Sequence, residues 1–102
     1  LSKPDGALVT AGQWQQFVDD TLTPAFPYGL TILHADGQYA DAEGSHREPS
    51  RVVLLLYPRE QAAEANTKIN AAIARYVRQF HQESVLRADS QQNASLVGPP
   101  AQ

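Results

Sequence analysis

Apolar positions fall into periodic stretches along the chain. Trp14, Phe17, Val18 and Leu22 recur at i, i+3, i+4 and i+8 while Gln15, Gln16, Asp19 and Asp20 take the opposite side, the spacing of an amphipathic helix. Thr10 and Gln13 supply a T-x-x-Q capping box at its start. Pro24 is predicted to close it, because a proline pushes the residue before it out of the α region. Val52 to Leu56 is an unbroken aliphatic run without polar alternation, the pattern of a strand covered on both faces. Pro58 stops that run after Tyr57. Ile69, Ile73, Tyr76, Val77 and Phe80 then return to helical spacing in a second helix that begins near Glu60. Ser84 to Ala88 reads as a further short strand, so strand, helix and strand form a βαβ unit.

The remaining segments connect these elements. Pro4, Asp5 and Gly6 read as a turn into a short apolar step, Ala7 to Val9. Phe26 to Gly29 form an aromatic turn, after which Leu30 to Ala35 enters a long hairpin that returns over Ser50 to Tyr57. Two turn signals, Asp36-Gly37 and Glu43-Gly44, lie between; the later one is favoured, with a bulge at Gly37. The alanine-rich first half of the second helix permits close approach to the sheet. Glu64 and Lys68 make an i, i+4 pair on its outer side, and Arg75 and Arg78 sit at the negative end of its dipole. From Ser90 polar and breaker residues replace periodicity, so 90–102 reads as a flexible C-terminal tail and 1–89 as a single domain.

A length of 102 residues suits one core. Hydrophobic content of 42% and charged content of 19% are ordinary for globular chains, so a packed body is expected. A net charge of -3 argues against nucleic acid as a partner, since phosphate contacts call for a concentrated basic surface. No apolar run approaches the ~20 residues that cross a bilayer, so no membrane span is expected in the visible chain. The chain has no methionine, which points to a processed or trimmed product whose start lies upstream of Leu1. The absence of cysteine excludes disulfides, thiol catalysis and cysteine-bound zinc, and is compatible with either redox compartment.

Three segments are more specific: TAGQWQQFVDDTLTPAFPYGLTILHADGQY, REPSRVVLLLYP and RQFHQESVLR. Together they make Gly6 to Ala88 similar to a bacterial family catalogued as domain of unknown function 3574. The resemblance implies a protein that is secreted, periplasmic or envelope-anchored, since the family's domain often follows a secretion or lipoprotein signal. It carries no catalytic residue to this sequence. Members usually begin with a strand just before the position of Leu1 and end on one after Ala88, an order of βαββαβ. The expected fold class is therefore α+β: a ferredoxin-like two-layer sandwich, its antiparallel sheet bearing two helices on one face, with the first strand missing or supplied from elsewhere. That position would be filled by upstream residues, by Ala7 to Val9, or by a strand of another copy, the last giving an oligomer.

Candidate chemistry is sparse. His34, Asp36, His46 and Glu48 have the ligand types of a zinc, iron or manganese site. With the turn near Glu43, His34 would lie about six residues, roughly 20 Å, along the ladder from His46, too far for one ion; a turn at Asp36-Gly37 would leave the site open. Arg47, Glu48 and Ser50 beside Pro49 are candidates for a polar recognition cluster, against a simple ion pair of Glu48 with Arg47 or Arg51 while Ser50 opens the strand. Tyr28, Tyr39 and Tyr57 are candidates to line a pocket, against packing with one wet end. His81 and Glu83 offer an acid/base pair at the helix end, against a capping imidazole. No G-x-S-x-G, P-loop, dinucleotide or H-E-x-x-H motif occurs. The expected ligand-binding set is His34, Tyr39, Arg47, Glu48, Tyr57, His81 and Glu83, with no catalytic residue, metal or cofactor. The expected role is non-catalytic binding of a partner protein or small ligand, as a homodimer. The alternative is a small enzyme of the dimeric α/β-barrel type using His34, Tyr39, Tyr57 and His81.

Overall fold

The computed structural model describes residues 9–82 and 85–99. The first helical rod has three parts: α1 (Ala11–Phe17), a widened π turn (Val18–Leu22) and α2 (Thr23–Ala25). Thr10 is extended, so its hydroxyl accepts the Gln13 N–H at 3.1 Å while Gln13 Oε1 accepts the Thr10 N–H at 3.0 Å. The capping box is thus formed as its spacing predicts, a contribution of about 1 kcal/mol.

Pro24 does not close the rod. The Thr23 N–H reaches back five residues to the Val18 carbonyl, and this wider turn relieves the clash a proline ring makes with the carbonyl four residues before it, here that of Asp20. The rod ends at Ala25, where Phe26 leaves helical space with its N–H on the Leu22 carbonyl at 2.9 Å.

β1 (Thr31–Asp41) and β2 (Gly44–Leu54) pair antiparallel in unbroken register, from Thr31 opposite Leu54 to Asp41 opposite Gly44. The later of the two turn signals is the one used. Ala42 and Glu43 make the turn, and Gly44 follows at φ +120°, a conformation that favours glycine. The bulge expected at Gly37 is absent: Gly37 pairs directly with Glu48, and a Cβ there would stand 3.4 Å from the Glu48 carbonyl oxygen. Direct partners on a ladder share a face, so odd residues of β1 lie with even residues of β2.

That parity corrects the expected double cover of Val52 to Leu56. Leu30, Ile32 and Val53 pack against the helices. On the other face Leu33, Val52 and Leu54 are 47%, 39% and 52% exposed, and Leu56 beyond the strand end is 74% exposed. The run lacks polar alternation because its outward positions are apolar too, and a continuous aliphatic run reads alike in both cases.

After Pro58 a 3₁₀ turn (Arg59–Gln61) leads into α3 (Ala62–Gln79). Its most buried residues are Ala65, Ala72 and Tyr76, followed by Phe80, while Ile69, Ile73 and Val77 are half-buried. Small side chains at the centre of the stripe let the helix lie close to its neighbours. Val9, Trp14, Phe17, Val18 and Leu22 meet Ala72, Tyr76 and Phe80 in one core. Phe17 stands edge-on to Tyr76 at 5.2 Å and to Phe80 at 5.9 Å, and Trp14 is edge-on to Tyr76 at 6.1 Å. Such ring pairs add about 0.5–1.5 kcal/mol each beyond their buried area.

The strand expected over Ser84 to Ala88 is not formed in its described part, since Val85 to Ala88 have no ladder partner there; Ser84 lies outside the described residues. The segment instead runs back beside α3. Arg87 donates to Asn70 Oδ1 at 2.9 Å and pairs with Asp89 at 3.0 Å, and Arg59 donates to Gln91 Oε1 at 3.0 Å. The fold is α+β, with two helices and a two-stranded antiparallel sheet among the described residues. Of the apolar step at 7–9 only Val9 is described, and it is buried.

α3 ends in a Schellman turn: the Gln82 N–H bonds the Val77 carbonyl at 3.0 Å, and His81 takes the left-handed conformation at φ 54°. A side chain there costs about 1 kcal/mol that glycine avoids. His81→Gly is therefore expected to raise the urea midpoint, by about 1 kcal/mol of stability. A lowered midpoint would refute the strain at this position.

Candidate functional site

The helix-facing side of the ribbon carries one anomaly. Arg51 has the parity of Val53, so the register turns a cation toward the helices. Its guanidinium lies over the Trp14 ring, 5.2 Å from the centroid, and its Nε donates to His34 Nδ1 at 3.4 Å across the strand pair. Trp14 in turn meets Tyr76. The Tyr76 side chain is buried, at 7% residue exposure, and its hydroxyl has no hydrogen-bond partner among the described residues. Burial raises its pKa above the ordinary tyrosine range, and the positive charge of Arg51 acts against that rise. Four side chains from α1, β1, β2 and α3 thus converge, two of them bearing polar groups turned toward an apolar core.

The other face is the apolar one just described. Towards the hairpin tip it becomes polar: Tyr39 stacks on His46 at 4.9 Å, and His46 Nε2 donates to Asp41 Oδ1 at 2.9 Å. Asp41 also accepts the Glu43 N–H at 2.8 Å. These bonds, that from His46 first, hold the Asp41 pKa below the ordinary range. A third feature is a groove of about 420 Å³ between the aromatic turn and the start of α3, lined by Phe26, Tyr28, Leu56, Tyr57, Ala65 and Lys68 among others. The expected Glu64–Lys68 pair, at 3.5 Å, stands at its rim.

These placements divide the residues singled out from sequence. His34 and Asp36 lie on the helix-facing side and His46 and Glu48 on the opposite one, so the tempting ligand set is split between two faces as well as spread along the ladder. Five ladder positions separate the level of His34 from that of Tyr39 and His46, about 17 Å. Among the described residues no group of three or more His, Asp or Glu side chains is placed to hold a metal ion. Glu48 likewise has the opposite parity to Arg47 and Arg51. Tyr28 and Tyr57 share the groove, whereas Tyr39 is out on the hairpin. Tyr57 also acts on Arg87, whose charge is supported chiefly by Asp89. His81 is the helix-capping residue, and Glu83 lies outside the described residues.

The family described as protein of unknown function (DUF3574) matches residues 1–96. The chain belongs to this family. No curated protein and no solved structure matches it. In this DUF3574 chain, no helix among the described residues is long and apolar enough to cross a membrane.

Of the convergent cluster, sequence reasoning identified only His34. Arg51 was legible as anomalous by its parity with Val53 and Leu55, an inward cation in an apolar run. Tyr76 carried a weaker signal, a hydroxyl where phenylalanine would fill the same stripe.

Two outcomes are expected. An unpartnered buried hydroxyl costs roughly 1–3 kcal/mol, so Tyr76→Phe should fold at least as stably as the parent in urea denaturation. A clear loss of stability would mean that the hydroxyl has a partner. At the tip, a depressed folded-state pKa means that the Asp41 bonds stabilise the turn above the unfolded carboxylate pKa and are lost as pH falls through the lower folded value. The Glu43 amide resonance should accordingly titrate with its inflection below about pH 3.9. An inflection above that value contradicts the arrangement.

Proposed function

We propose that this chain is a small, non-catalytic binding module, secreted or envelope-associated, that engages a partner protein or small ligand and pairs with a second copy through the open face of its ribbon. One observation carries this: Leu33, Val52 and Leu54 form an exposed apolar patch on the sheet face opposite the helices. Contiguous exposed apolar surface on a sheet is a recurring mark of interaction sites.

A second copy suits the face because a two-fold axis sets identical patches against each other, and apolar sheets stack at ~10 Å. The same face would line the cavity of a barrel-type dimeric enzyme. Of His34, Tyr39, Tyr57 and His81, only Tyr39 lies on it within the ribbon, which favours binding over catalysis. The compartment rests on the family resemblance.

Sedimentation velocity at micromolar concentration tests the pairing. A dimer is expected for the parent and a monomer for Leu54→Lys, with the far-UV circular dichroism of the two alike. A parent that stays monomeric at every concentration removes the homodimer, and a Leu54→Lys dimer removes this face as its interface.

A further inference from the structure

We propose that the groove between the aromatic turn and the start of α3 receives residues 96–100 of a second copy of this chain, in a reciprocal exchange of tails. The groove holds about 420 Å³ and is lined by Phe26, Tyr28, Leu56, Tyr57, Gln61 and Ala65 among others. That volume lies in the lower part of the range of small-ligand sites, room for a few side chains but not for a helix. Its aromatic and aliphatic wall stands open, with Tyr28 97% exposed. The rim adds no net charge, because Lys68 is met by Glu64 at 3.5 Å. A neutral, largely apolar occupant suits such a surface.

The tail has that chemistry. Residues 90–102 include no charged side chain. Leu96 and Val97 are 105% and 89% exposed, two adjacent apolar side chains left in water, and Gly98-Pro99-Pro100 follows them. Consecutive prolines favour the extended polyproline conformation, carry carbonyls without N–H groups, and dock on aromatic-lined grooves. The Tyr28 and Tyr57 hydroxyls and the Gln61 amide can each donate to those carbonyls. The tail does not fill the groove of its own chain. Arg59, next to the lining Pro58, donates to Gln91 at 3.0 Å, and beyond that tie residues 92–99 are all exposed. A two-fold axis beside the rim carries each tail from its anchor into the other copy's groove, so the exchange closes at two copies. The groove begins beyond Leu54, the last residue of the ladder, so this contact uses a different surface from the ribbon face and each can fail without the other.

The chain has no cysteine, so Gln102→Cys gives a single attachment point for a nitroxide at the end of the tail. Unlabelled chain carrying the nitroxide is mixed with ¹⁵N-labelled parent chain, so that any paramagnetic broadening passes between copies. The Tyr28, Tyr57 and Ala65 amides of the labelled chain are expected to broaden, and to recover when an excess of a synthetic peptide of residues 95–102 is added. The same peptide with both prolines replaced by alanine should compete about tenfold less well. Tyr28→Ala in the labelled chain, at a position too exposed to disturb the core, should remove most of the broadening. Leu54→Lys in both chains should keep it, which separates this contact from the ribbon face. No broadening in the mixture, broadening only where nitroxide and ¹⁵N share one chain, equal competition by the two peptides, unchanged broadening in Tyr28→Ala or its loss in Leu54→Lys would each overturn the exchange.

Discussion

Edge-to-face packing of Phe17 and Trp14 against Tyr76 and Phe80 is the constraint on which the rest of the molecule depends. The two helical rods are far apart in sequence, and each buries only one stripe. Neither stripe is broad enough to close a core against a two-stranded ribbon alone, since an isolated hairpin is marginal in water. The four rings join the rods, and the joined surface is what Ile32 and Val53 settle against. The position of every other group follows. Arg51 sits over Trp14, whose ring meets Tyr76 edge-to-face, and the Tyr76 hydroxyl is buried with the ring that the cluster uses.

Local rules made much of this legible. The T-x-x-Q box, the face of Trp14, Phe17, Val18 and Leu22, the hairpin turn at Glu43-Gly44 and the start of α3 all depend on neighbours within a few residues, and all are formed. Tertiary context decided the rest. Pro24 reads as a stop only if the turn before it is an ordinary α-turn, and one wider turn removes the clash. Val52 to Leu56 has the composition of a doubly covered strand, yet cover is a property of what stacks on it. Parity alone could not tell that the even positions face open space. For the candidate site the limit was register: until Tyr39 is known to face His46, the side of the sheet that each polar residue takes is undetermined.

The two faces of the ribbon consequently have different chemistry. One is apolar and uncovered near its base, suited to another flat surface. The other sets a cation against the Trp14 ring and an imidazole beside that cation. Since paired residues alternate strictly between the faces, a slip of one position in the register would exchange them, sending Arg51 into the open and Val52 into the helices. The unbroken ladder and the glycine after the turn hold that assignment in place.

The hairpin also outruns its support. Beyond His34 and Arg51 no residue of either strand belongs to the core, although the ladder continues to Asp41 and Gly44. Its outer half is a cantilever held by cross-strand bonds and the Asp41–His46 clasp. Thermal fraying can therefore travel inward from the tip without loosening the ring cluster, and amide protons along the beam should exchange with solvent in a graded series, fastest at the free end and slowest where Ile32 and Val53 are anchored.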